Sequence, residues 1–182
     1  EIYALQVHFN PLFLVYVALL GGSLYALIGG LATTDLAGIK ARFTGRTPVK
    51  TASIFLAAVA VLFYFAWLSE VVPALVAGEV PQSVTQNGTP TNAVHVLDMA
   101  WILPAAILTA IWLWRRRAIA YAIAGALLTF FSLLALAIMA MMISMSLFGQ
   151  PVALGMAAVF GVVSATGLGT LIWYMRAFRD RM

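Results

Sequence analysis

Residues 94–117, VHVLDMAWILPAAILTAIWLWRRR, constrain this chain more than any other stretch. Met99 to Trp114 are sixteen consecutive residues without a charge. Together with the apolar residues ahead of them they approach the length that a helix needs to cross ~30 Å of hydrocarbon at ~1.5 Å per residue. Trp101 stands near one end and Trp112 and Trp114 near the other, where amphipathic rings settle at the headgroup level. Arg115, Arg116 and Arg117 then mark a cytoplasmic end. The stretch reads as a transmembrane helix with its orientation written at its terminus.

Composition extends that reading to the whole chain. Of 182 residues, 64% are hydrophobic and 9% charged, whereas a soluble domain is nearer 25% charged. Six acids and ten bases cannot clothe a water-facing surface, so lipid must cover most of the exterior. The bases fall in three short clusters: Lys40, Arg42, Arg46 and Lys50; Arg115 to Arg117; and Arg176, Arg179 and Arg181. Clusters set between apolar segments are topology signals, and no nucleic-acid partner is expected. The chain has no Cys, which excludes disulfides, thiol catalysis and thiolate metal sites. It starts at Glu1 rather than Met, so a preceding segment is expected.

Taken in order, five spans are expected: 11–32, 51–77, 95–114, 118–146 and 152–175. The first opens at Asn10-Pro11, and Pro suits a first helical turn because its missing N–H has no intrahelical partner there. Gly22, Ala26 and Gly30 recur every fourth residue along it, a small-residue stripe that admits close approach of another helix. Gly161, Ala165 and Gly169 repeat the device on the fifth span. Between the second and third spans, residues 78–93 contain no Lys or Arg. Their Asn87-Gly88-Thr89 matches a glycosylation acceptor, read as a chance occurrence before Pro90 in a bacterial chain. Met139, Met141, Met142, Met145 and Met156 read as flexible packing filler rather than a copper path. Basic residues on one side only place the N-terminal end outside and the C-terminus in the cytoplasm. The expected fold is an all-α integral membrane helical bundle forming one domain, in a bacterial cytoplasmic membrane. No inverted pair of broken helices marks it as a secondary transporter.

Two segments, NPLFLVYVALLGGSLYALI (10–28) and LDMAWILPAAILTAIWLWRRRAIAYAIAGALL (97–128), resemble an uncharacterised family of polytopic bacterial membrane proteins. Its members start one helix with an NPLF-like motif and carry an acid and a Pro in a later helix that ends in an Arg-rich turn. The resemblance implies a further span ahead of residue 10, six in all, and no activity.

Ionisable groups concentrate at the expected outer face: His8, Glu70, His95 and Asp98, with Asn10 nearby. His95 and Asp98 are three apart and share a helix side. A carboxylate inside a span costs ~2.5–3.5 kcal/mol on insertion scales, so such groups face the bundle. Three uses compete. Asp98 could cap the third helix while Glu70 bonds to His95 or a Tyr. The group could hold or pass a proton or cation. It could bind a metal such as zinc, or His8 and His95 could ligate a haem. No Ser beside a base, no Gly-rich phosphate loop and no HExxH motif is present. The expected role is therefore non-catalytic: an accessory or structural subunit of a larger membrane complex, or a homo-oligomer, without a cofactor. The alternative is an ion- or proton-coupled carrier or metal-binding protein using the outer-face cluster.

Overall fold

The computed structural model describes Leu5, residues 10–152 and residues 154–178. Among them lie seven helices: α1 (Phe13–Thr33), α2 (Leu36–Arg42), α3 (Val49–Ala77), α4 (Gln82–Asn87), α5 (Ala93–Trp114), α6 (Ala118–Leu147) and α7 (Leu154–Arg176). The only β-type pairing among the described residues is one isolated bridge, Phe43 with Phe178. Five helices, all except α2 and α4, are long and apolar enough to cross a membrane. This is a multi-pass helical architecture.

Local chemistry sets the ends. Asn10 Oδ1 accepts the Leu12 N–H at 2.9 Å, tying down the turn around Pro11 that starts α1. At four helix ends the chain closes with paired bonds, one reaching back five residues and one reaching back three. Glu79 and Gly78 donate to Ala74 and Leu75, Thr89 and Gly88 to Val84 and Thr85, and Gln150 and Gly149 to Met145 and Ser146. Arg117 and Arg116 repeat the pattern onto Trp112 and Leu113. The pivot residue must be left-handed, and Gly78, Gly88 and Gly149 supply that freely at φ of 69°, 60° and 74°. Arg116, at φ 55°, adopts it against the clash of its own Cβ.

The described residues divide into two compact units, one within Glu1–Asp35 and Leu62–Pro104, the other within Leu36–Val61 and Ala105–Met182. α3 and α5 contribute a segment to each. The first unit holds α1, the later part of α3, α4 and the opening of α5. The second holds α2, the start of α3, the rest of α5, α6 and α7.

In the second unit α6 and α7 run antiparallel. Gly161 lies by Met139, Gly167 by Ser132, and Tyr174 donates its hydroxyl to the Tyr121 carbonyl at 3.0 Å. The buried row on α6 is Ala120, Ala124, Leu128 and Ser132, one residue per turn, with Phe131 and Ala135 beside it. Small side chains at that spacing let backbones approach, which drives helix association where lipid offers no hydrophobic gain. Gly167 is the tightest point: a Cβ there would meet Ser132 Oγ and lie 2.8 Å from Phe55 Cζ. Near the C-terminal end of α7, Phe43 packs on Tyr121 and Tyr174 with ring centroids 5.2 and 4.8 Å apart.

Candidate functional site

The first unit contains the polar cluster, built from α3, α4 and α5. The start of α5 positions two of its members. Asn92 Oδ1 accepts the N–H groups of Val94 at 3.0 Å and His95 at 3.3 Å, so Asn92 is the cap. The expectation that Asp98 caps this helix is therefore corrected. The helix begins at Ala93, which leaves Asp98 a full turn inside, beyond the free N–H groups that a cap serves.

Asp98 instead opens a widened turn, Asp98–Ile102, in which the Leu103 N–H reaches back five residues to the Asp98 carbonyl. Pro104 accounts for it, because it has no N–H to donate and its ring crowds the carbonyl of the preceding turn. Met99 is left with a carbonyl whose partner four residues on is engaged elsewhere and whose partner five residues on is Pro104. Tyr64 satisfies it, donating its hydroxyl to Met99 O at 2.9 Å. Trp67, less than one turn further along α3, donates its indole N–H to Asp98 Oδ2 at 3.0 Å. Its ring lies against the His95 imidazole, with centroids 4.5 Å apart and planes 37° apart.

Glu70 completes the layer. Its Oε1 accepts the Ser83 backbone N–H at 2.8 Å at the start of α4, and its Oε2 lies 3.8 Å from His95 Nε2. The imidazole is 6% exposed and the carboxylate 32%. Each carboxylate thus has a donor from a different element, and His95 lies between Trp67 and Glu70. The arrangement fastens α5 to α3 and α3 to α4.

Glu70, His95 and Asp98 are brought into one layer, while His8 lies outside the described residues. Among those residues no three His, Cys, Asp or Glu side chains converge on a metal-sized point. Trp67 and Tyr64 are the members that sequence reasoning passed over. The available signal was Pro104: it leaves carbonyls unmet in the turn before it, and a neighbouring helix must then supply the donors.

Within this chain the expected packing stripes are mostly left open. Gly22, Ala26 and Gly30 are exposed on α1, and a Cβ at either glycine would meet nothing within 4 Å. A Cβ at Gly161 would lie 3.2 Å from Met139 Sδ, whereas Ala165 and Gly169 face outward. The face that α7 buries is Val163, Ser164, Gly167, Thr170 and Tyr174. Arg115, Arg116 and Arg117 are exposed in the turn between α5 and α6.

Fold and site together define a multi-pass helical membrane protein with an internally bonded polar layer. No family model, curated protein or solved structure matches this chain.

Proposed function

We propose that this is a non-catalytic protein of a bacterial cytoplasmic membrane that works by packing against other chains, as an accessory or structural subunit of a larger complex or as a homo-oligomer. The observation that carries the proposal is α1. None of its residues is buried, while the most apolar window of each other span is 17–33% buried. A helix this apolar, with small residues at Gly22, Ala26 and Gly30, has the surface that a second helix uses for close approach. The polar cluster supports the same reading, since its carboxylates are engaged in joining α3, α4 and α5. The family resemblance and a cytoplasmic placement of the basic loops belong to this proposal.

The absence of Cys makes the test clean. A single Cys replacing Ala26, oxidised in native membranes, is expected to trap a disulfide-linked second copy, or the complex is expected to migrate with other subunits in a native gel. No crosslink together with migration as a single chain would refute it. A second reading, a proton-coupled carrier, draws on the 3.8 Å pair of Glu70 and a nearly enclosed His95. It expects Glu70→Gln to abolish proton flux in reconstituted vesicles while assembly survives.

A further inference from the structure

The second unit carries an open groove of about 480 Å³, lined by Thr51, Ile54 and Phe55 on α3 and by Thr166, Gly169 and Trp173 on α7. Its walls are apolar for a specific reason. Thr166 and Thr170 donate their hydroxyls to carbonyls of their own helix, Val162 at 2.7 Å and Thr166 at 2.8 Å, and so spend their polarity internally. Gly169 leaves the floor open, because a Cβ there would meet nothing within 4 Å.

One end of the groove is cationic. Phe55 lies beside Gly167, so Thr51, a turn before it on α3, falls toward the C-terminal end of α7. Lys50 immediately precedes Thr51, and Arg176 follows Trp173 by three residues; both are exposed. Lys50 Nζ sits 5.8 Å over the Trp114 ring and Arg42 sits 5.8 Å over Phe178, so aromatic faces hold cations around this end. The described residues of this unit include no Asp or Glu.

We infer that the groove binds an anionic phospholipid, with an acyl chain along Ile54, Phe55 and Gly169 and the phosphate between Lys50 and Arg176. An apolar trough with cations near one end matches an amphiphile with a hydrocarbon tail and a negative head.

The test uses the full chain in a neutral detergent, with bound lipid read by native mass spectrometry and stability by thermal unfolding. The probes are phosphatidylglycerol, phosphatidylcholine with the same chains, and inorganic phosphate. Phosphatidylglycerol is expected to stay bound and raise the unfolding temperature, and the other two are not. The double variant Lys50→Gln/Arg176→Gln should weaken phosphatidylglycerol binding about 30-fold. Gly169→Leu should abolish it without lowering the lipid-free unfolding temperature, because the new side chain enters open space. Equal effects of phosphatidylcholine, or stabilisation by phosphate alone, would overturn the inference. So would phosphatidylglycerol binding that is indifferent to Gly169→Leu, or a partner helix crosslinking into the groove.

Discussion

The two units solve the same problem with opposite means. Helices in lipid gain nothing from hiding apolar surface, so they must associate by close backbone packing or by hydrogen bonds. The second unit uses the first device: Ala120, Ala124 and Ser132 on α6 and Gly167 on α7 form a seam of small groups. The first unit uses the second device, with Tyr64 on the Met99 carbonyl, Trp67 on Asp98 and the Ser83 N–H on Glu70. Polar side chains in a span therefore do not by themselves announce transport. Here they do the joining that small residues do in the other unit.

The contrast can be broken most severely at Gly167. Leu there must displace both Ser132 and Phe55, and overpacking of this kind costs about 3 kcal/mol. Thermal unfolding in detergent should show the loss, whereas Gly169→Ala, at an open site, should hold or slightly raise stability because alanine suits a helix better than glycine.

A smaller loss is expected in the polar unit. Trp67→Phe keeps a ring against His95 but removes the donor to Asp98, which should cost about 1.5–3 kcal/mol by the same measurement. Asp98→Asn sharpens the point, since the amide oxygen can still accept the indole N–H and the cost should stay below about 1 kcal/mol. If Asp98→Asn proves as damaging as Trp67→Phe, the charge itself matters and the layer does more than join helices.

The smallest effect has the opposite sign. Arg116 holds a left-handed conformation that costs ~1–2 kcal/mol. Glycine would relieve it while adding ~0.4–1 kcal/mol of unfolded-chain freedom. Arg116→Gly should therefore raise stability by roughly 0.8 kcal/mol at the middle of these ranges, seen as a small upward shift in unfolding temperature.

Much of the fold was legible from hydropathy, because a run of about twenty apolar residues has few alternatives. The five long helices follow from that alone. Which way each helix faces does not. The stripe of Gly161, Ala165 and Gly169 and the buried face through Gly167 differ by a rotation of α7, and both rows have small-residue spacing. The site was legible in the same measure. Glu70, His95 and Asp98 could be assigned to one layer from depth, but Trp67 and Tyr64 enter through the widened turn ahead of Pro104. A capping role for Asp98 competes poorly with Asn92, which directly precedes the helix and accepts two of its free N–H groups.

The most direct test of the proposed role is native mass spectrometry of the protein extracted from its own membrane in a mild detergent. The account predicts a mass well above one chain, with further copies or other subunits bound. It also predicts that bulky substitutions at Gly22 and Gly30 return the chain to a monomer, since their surroundings within the chain are open. A lone chain carrying a metal or haem adduct would contradict it and return attention to Glu70, His95 and Asp98.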